Sequence, residues 1–418
     1  MLYKEITKCR VCGSANLISI VNLGDQALTG VFPVVGEDVE RGPLEIVKCG
    51  APSLNNSECC GLVQLRHDYQ MEKLYGDNYG YRSGLNKSMV NHLRSIVEKI
   101  ERRIDLSDGD LVIDIASNDG TLLSAYTNKK LDFLGIDPTS DKFSSFYPSY
   151  IKHIPEFFSA HAVRNIHGDR SAKVITSIAM FYDLPDPIKI MCDIGDILDT
   201  NGIWVVEQSY MPTMIDNVSY DTICHEHLEY YALRQFKWMA DRSGLKIIDI
   251  EFNDTNGASF CLTLAKKESK YQEASSEIER VLRKEDERGF NSMQVYEEFR
   301  EKTEKHRDGL LKIIREINGE GGVIFGYGAS TKGNVILQYC GLTSADIPYI
   351  SEVNEYKFGR LTPGTKIPII SEEDASKKNP NYYLVLPWHF RKGIIEREKN
   401  FLASGGGMIF PLPKIEII

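Results

Sequence analysis

Five of the nine cysteines fall within residues 9–60 of this 418-residue chain, and that crowding limits what the N-terminal segment can fold into. Cys9-Arg10-Val11-Cys12-Gly13 is a CxxCG turn, which aims two thiolates at one centre while the glycine allows the tight bend. Cys49 and the pair Cys59-Cys60-Gly61 follow at a wide, irregular spacing. Cys60 is the better fourth ligand, because Cys60-Gly61 repeats the Cys12-Gly13 pattern. Cys9, Cys12, Cys49 and Cys60 are therefore the expected ligands of one zinc ion. Four thiolates leave no position for water, so this zinc holds structure and does no chemistry. Disulfides are the competing reading, and an intracellular setting disfavours them. Cys192, Cys224, Cys261 and Cys340 stand alone, three of them in apolar surroundings that suit a core.

The rest of the chain is an ordinary globular mix, 42% hydrophobic and 26% charged, long enough for about three domains. The net charge of −10 (49 − 59) argues against broad binding to nucleic acid or to an anionic membrane. No apolar run approaches the ~20 residues of a membrane span. The start, MLYKEITKCRVCG, has no signal-peptide core, so the cytoplasm is the expected location.

Residues 1–74 read as the cysteine module. In 75–264 the loop YGDNYGYRSGLN gives way to a helix from Asn86 to Ile104. Short apolar strands then alternate with helices: LVIDIASNDG, LDFLGIDP, AKVITSIAM and IWVVEQSY. That alternation predicts an α/β doubly wound sheet. Residues 265–320 are highly charged and form an amphipathic helical connector with Phe299, Thr303, Leu310, Leu311, Ile314 and Ile317 on its apolar face. A second α/β unit fills 321–418, starting at GVIFGYGASTKGNVILQYC and continuing through ADIPYISEVN, YYLVLPWHF and GGGMIFPLP.

Each unit has a glycine turn after its first strand. In the first, Asp114 through Gly120 includes Ser117, Asn118 and Asp119, and Asp137 ends the next strand. A turn of this kind offers backbone N–H groups and a helix N-terminus, and the second acid suits ribose hydroxyls. NAD prefers GxGxxG for its pyrophosphate. This turn has one glycine, so S-adenosylmethionine (SAM) fits better; NAD and a purely structural turn stay open. The second turn, Gly326-Tyr327-Gly328-Ala329-Ser330-Thr331-Lys332-Gly333, adds hydroxyls and a cation and suits a phosphate or diphosphate. Glu352 and Asn354 follow its next strand, where they are placed to meet a ribose or base. NAD is a competing ligand there, which would make the chain a sugar-nucleotide oxidoreductase.

Cys224-His225-Glu226-His227-Leu228-Glu229-Tyr230-Tyr231 is the candidate catalytic segment, because a histidine beside a carboxylate is a natural general base. A metal held by His225 and His227, and a plain surface histidine pair, are the other readings.

The motif order CxxCG, CGLVQLRH, YGYRSGLN, DIASNDGTLL, GIDP, DTICHEHLEYY, GYGASTKGN and RLTPGTKIPI resembles the SAM-dependent sugar C-methyltransferases, the C-3 methyltransferases of branched deoxysugar biosynthesis, over essentially the whole chain. The resemblance implies a zinc module, a central class I SAM-dependent methyltransferase Rossmann-like domain and a C-terminal Rossmann-like domain. It implies a nucleotide-linked 4-keto-6-deoxysugar as substrate, usually on dTDP, deprotonated at C3 to an enediolate that takes the SAM methyl group. Asp221, Ile223, Glu226 and His227 match the family's D-x-I-x-x-E-H segment, which makes His227 the base and Glu226 its neighbour, with His225 a further candidate. Tyr79 and Tyr81 match the aromatic loop before R-S-G, which the resemblance implies closes over the SAM site and reaches the sugar, making Tyr79 a catalytic candidate and Tyr81 a cofactor-binding one. Gly326 to Lys332 match the segment near the nucleotide diphosphate. The chain departs from the family at Cys224, where Tyr is common, and at Ser177–Tyr182, where Asn and His are usual; both places are expected to face the sugar. A scaffold that has lost activity is the non-enzyme reading left by those departures.

Overall fold

The computed structural model describes residues 2–50, 59–75 and 81–418. In the N-terminal module β1 (Tyr3–Glu5) pairs with β5 (His67–Tyr69), while β2 (Leu17–Ala27), β3 (Arg41–Cys49) and β4 (Val63–Leu65) form an antiparallel sheet. The CxxCG turn brings its two thiols to the far end of β3. Cys9 Sγ lies 3.5 Å from Cys60 Sγ and Cys12 Sγ lies 3.4 Å from Cys49 Sγ. All four sulfurs lie within 4.8 Å of one another. Tetrahedral zinc with Zn–S near 2.3 Å requires sulfurs about 3.8 Å apart, so the donor set fits that ion. Cys59 points elsewhere and meets Ser14 Oγ at 3.3 Å.

The central sheet contains β6 (Leu111–Ile115), β7 (Asp132–Ile136), β8 (Ile151–Ile154), β9 (Ala172–Ile178) and β10 (Leu198–Ser209). After them come the two-residue β11 (Glu229–Tyr230), then β12 (Leu245–Asn253) and β13 (Ser259–Lys266). The seven-stranded order is β12-β13-β10-β9-β6-β7-β8, with β13 antiparallel to both neighbours. Four of these strands are visible as apolar runs. The others are not: β8 is four residues long and half-exposed, and β12 mixes Asp249 and Glu251 with its apolar residues.

The helix Lys87–Arg103 starts at the Asn86 cap and buries Met89, Leu93, Ile96, Val97 and Ile100 against the sheet. The expected helix N-terminus after β6 is corrected. Only a three-residue 3-10 turn, Leu123–Ala125, follows. Leu122, Leu123 and Tyr126 instead pack under Lys87–Arg103, which covers that face of the sheet.

The connector is two helices, Ser275–Glu287 and Gln294–Gly319, and Phe299, Thr303, Leu310 and Ile314 are buried on the second. The C-terminal unit has β14 (Ile324–Tyr327), β15 (Ile350–Glu352), β16 (Ile369–Ser371), β17 (Tyr382–Val385), β18 (Gly407–Phe410) and β19 (Glu416–Ile417). Their order is β16-β15-β14-β17-β18-β19, parallel except for β19. The isolated cysteines behave as expected: Cys224 and Cys340 are buried, Cys261 half-buried and Cys192 exposed. No helix among the described residues is long and apolar enough to cross a membrane.

The units are not independent, because β11 of the central unit pairs with β4 and completes the sheet β11-β4-β3-β2. Stripping the metal, or the Cys12→Ser substitution, removes the tie at the end of β3. We expect the thermal midpoint to fall by at least about 5 °C, with loss of one zinc per chain by metal analysis. An unchanged midpoint in zinc-free protein would contradict this reading of the module.

Candidate active site

The segment Cys224–Tyr231 is clamped between the N-terminal module and the central sheet. On the module side, Leu65 N donates to Leu228 O at 2.8 Å, and Glu229 and Tyr230 pair with Gln64 and Val63. Arg10, inside the CxxCG turn, is buried and donates to Leu65 O at 2.7 Å and Leu228 O at 3.3 Å. Its Nε lies 3.6 Å from the buried Glu229 carboxylate. Burial pushes Glu229 well above the usual carboxyl range and the Arg10 charge opposes that shift.

The two histidines of this segment are held in opposite tautomers. Thr29 N–H faces His225 Nδ1 at 3.3 Å, so Nδ1 accepts; the Nε2 proton then points to Gly42 O at 3.3 Å. His225 is fully buried, and burial takes its pKa down to about 4. His227 Nδ1 lies 2.7 Å from Thr222 O, which accepts, so the proton sits on Nδ1 and the lone pair on Nε2. His227 is partly exposed, with the Tyr182 ring edge-on at 4.5 Å. Burial, then the Lys332 ammonium, hold its pKa down at about 3. A cavity of about 10 Å³ beside it is lined by Tyr182, Thr222, Glu229 and Tyr230 among others.

Glu226 is 7% exposed and burial raises its pKa, while the Cys224 thiol and the Thr29 hydroxyl oppose that shift. Thr29 Oγ1 donates to Glu226 Oε2 at 3.3 Å. The placement of Cys224 is thus fully buried and turned to Glu226, and that of His225 is against the N-terminal module. The shared strand face that a His225–His227 metal would need does not form: these residues lie in a turn before β11. Among the described residues the cysteine set is the metal-ligating cluster found. Of Ser177–Tyr182, Ser177 accepts from Trp204 Nε1 at 2.9 Å, Phe181 is buried in the core, and Tyr182 lies against His227.

The first glycine turn is built from left-handed residues: Ala116 (φ 58°), Asn118 (φ 51°) and Gly120 (φ 73°). Two of them are not glycine, and such strain collects at ligand sites. Asp137 accepts from Asn118 N at 2.9 Å and from Thr139 N and Oγ1 at 2.6 Å, which leaves capacity for a further donor. Asp114 is buried beneath, bound by Thr176 Oγ1 at 2.5 Å, and burial raises it to about 7. Tyr147 packs on Gly120, where an added Cβ would come within 2.9 Å of its ring, and Ser117 Oγ meets its hydroxyl at 2.7 Å. Asn118 and Asp119 hold the loop above. Asn118 Nδ2 donates to Tyr81 O at 3.2 Å, Ser83 N donates to Asn118 Oδ1 at 2.9 Å, and Gly84 N donates to Asp119 Oδ2 at 2.9 Å. Tyr79 lies outside the described residues.

In the second turn, Ser330 caps the helix Thr331–Tyr339 by accepting from Gly333 N at 3.0 Å. Gly326 and Gly328 are packing requirements, since a Cβ would strike Ile350 at 2.3 Å and Pro387 at 2.9 Å. Tyr327 donates to Glu398 Oε1 at 2.8 Å. Glu352 braces the turn and its own loop, accepting from Ala329 N (2.7 Å), Val353 N (2.8 Å) and Asn354 N (2.9 Å). Asn354 caps the turn after it, accepting from Tyr356 N at 3.1 Å. Lys332 reaches out of this unit and donates to Asn256 O at 3.0 Å in the central domain. Trp388 Nε1 donates to Asp221 Oδ2 at 2.7 Å. His389, next to it, has a pKa lowered to about 3 by burial and by Lys332.

Contacts among the three units therefore gather His227, Glu226, Asp221, Lys332 and Thr331 at one junction, and add Thr29, Gly30, Tyr182, Trp388 and His389. Thr29 and Gly30 carry no motif. Trp388 and His389 sit in what reads as an apolar strand, and its abrupt Pro-Trp-His ending is the signal that something polar follows.

Comparison with known proteins completes the picture. Residues 9–75 match a zinc binding domain family, residues 88–250 a methyltransferase domain family, and residues 254–413 the C-methyltransferase C-terminal domain family. C-methyltransferase NovU of Streptomyces niveus is 30% identical over 425 aligned positions, covering 100% of this chain and 98% of its own length. Among solved structures, LepI in complex with SAM shares 14% identity over 44% of this chain and 54% of its own, with a TM-score of 0.33. The mitomycin 7-O-methyltransferase MmcR shares 11% over 44% and 55%, with a TM-score of 0.35. Scores at this level carry no argument, whereas the full-length match does. Matched end to end by this relative, and in turn by the zinc-binding, methyltransferase and C-terminal domain families, the chain belongs to the C-methyltransferase family.

Proposed function

We propose that this C-methyltransferase acts on C3 of a nucleotide-linked 4-keto-6-deoxysugar, with His227 as general base. The observation that carries the reading is the Nδ1–H bond from His227 to Thr222 O at 2.7 Å, which leaves Nε2 as a lone pair on a partly exposed ring. His225 is committed to the opposite tautomer and has no free nitrogen to offer. The substrate class rests on the family resemblance and on the cation and glycine turn at Ser330–Lys332, which suit a diphosphate.

SAM supplies the methyl group, and Asp137 with the Ala116–Gly120 turn is the set that would hold it. His227 Nε2 removes the proton from the carbon beside the sugar carbonyl, and the electron pair passes into an enediolate. Lys332, whose charge reaches His227, offsets the developing negative charge. A diphosphate beside Lys332 also removes one of the two causes that keep His227 a weak base. Tyr182 fixes the plane of the imidazole. Glu226, seated next to the base, is placed to accept from a sugar hydroxyl. Trp388 and Asp221 close the cleft between the central and C-terminal units.

Turnover is read as the mass gain of one CH2 on the sugar nucleotide. His227→Ala is expected to lower it by at least about 100-fold with SAM affinity retained; near-normal turnover would reject His227 as base. His225 gives a separate test. Its pKa of about 4 lies below the unfolded value, so the unfolded chain binds the extra proton. The contribution of neutral His225 is complete above about pH 6.5 and is lost as the pH falls towards 4. The stability advantage of wild type over His225→Asn should thus shrink by about 1.4 kcal/mol between pH 7.5 and 5.5 in urea titrations. A constant difference would mean that His225 is not held neutral.

A further inference from the structure

The N-terminal module contributes more than support to the cleft. Residues 27–33 leave β2 as a strap lying between the catalytic segment and the C-terminal unit. Gln338 fixes its start by accepting from Ala27 N at 2.8 Å and donating to Ala27 O at 3.1 Å. At its end, Leu361 N donates to Pro33 O at 2.8 Å and Arg360 Nη1 donates to Phe32 O at 2.9 Å. In the middle, Asn334 Nδ2, on the helix Thr331–Tyr339, donates to Thr29 O at 2.8 Å.

Thr29 is fully buried and faces the catalytic segment. Its hydroxyl lies 3.2 Å from His225 Nδ1 and 3.3 Å from Glu226 Oε2; the backbone N–H takes the single Nδ1 lone pair, so the hydroxyl proton goes to Glu226 Oε2. Gly30 follows. A Cβ built on it would lie 2.2 Å from Glu226 Oε1 and 3.7 Å from Thr331 Oγ1. Gly30 does not have a positive φ, so its backbone would tolerate alanine, and an added side chain would have to displace the Glu226 carboxylate.

We propose that Thr29 and Gly30 are positioning residues for Glu226: the hydroxyl fixes one carboxylate oxygen and the bare Cα leaves room for the other. Through Asn334 the same strap ties the orientation of Glu226 to docking of the C-terminal domain. This inference rests on the reading above that Glu226 works in the cleft. It places the third wall of the substrate site in the zinc-binding module.

The test is steady-state kinetics on full-length, zinc-loaded Thr29→Val, Thr29→Ser and Gly30→Ala, each also in a Glu226→Ala background. SAM affinity, zinc content and melting temperature are measured alongside. Thr29→Val is expected to lose about tenfold or more in kcat with SAM affinity unchanged, and Thr29→Ser to recover most of it. Gly30→Ala, which leaves the buried hydroxyl in place and keeps the fold testable if Thr29→Val does not fold, should lose at least as much. In the Glu226→Ala background Thr29→Val and Gly30→Ala should cost nothing more. Full kcat in Gly30→Ala, or equal losses with and without the Glu226 carboxylate, would overturn the proposal. Normal turnover in Glu226→Ala alone would overturn the role of Glu226, and this inference with it, and is told apart by that single variant.

Discussion

The architecture depends on one short pairing, the two residues Glu229 and Tyr230 laid as a strand against Val63 and Gln64. Two residues make a poor strand by themselves, so the pairing needs a rigid template. The cysteine cluster supplies it by fixing the end of β3 and the CxxCG turn. Arg10, held within that turn, bonds the carbonyls of Leu65 and Leu228 on both sides of the junction. Gln235 adds a bond from the following helix to Cys60 O at 3.0 Å. The zinc site is thus closed to substrate, yet it shapes the loop that carries His227.

A second consequence concerns electrostatics. Three histidines at the domain junction, His225, His227 and His389, are kept neutral by burial, and the last two also by Lys332. Burial favours the neutral rings, which keep a lone pair each, over protonated ones, whose charge would be desolvated. Which of these lone pairs is chemically useful is then set by backbone carbonyls. Gly42 O claims the Nε2 proton of His225, whereas Thr222 O claims the Nδ1 proton of His227. Two neighbouring residues of the same type acquire different capacities from which carbonyl each one meets.

Much of this was legible in the amino-acid sequence. The cysteine set, the two α/β units and the long amphipathic helix follow from spacing and periodicity, because each is a local pattern. The seventh-strand hairpin was hidden, since Asp249 and Glu251 are paired with Arg103 and Lys99 from a distant helix. The helix expected after the Asp114–Gly120 turn is missing because another helix covers that face. Glu352 and Asn354 looked free for a ribose; Glu352 instead accepts from its own loop and from Ala329 N in the glycine turn, and Asn354 accepts from Tyr356 N, contacts that only backbone geometry shows. Thr29 and Gly30 could not be found at all, because their importance comes from Glu226, almost 200 positions away in the chain.

The account comes down to whether the cleft between these units holds a carbon base in working geometry before any methyl donor arrives. Deuterium uptake decides this. The zinc-loaded protein is incubated in D2O with a dTDP-linked 4-keto-6-deoxysugar and no SAM, and the sugar is followed by mass spectrometry and proton NMR. The account predicts wash-in of one deuteron at C3 that disappears in His227→Ala. No uptake by a folded, SAM-binding protein would contradict it.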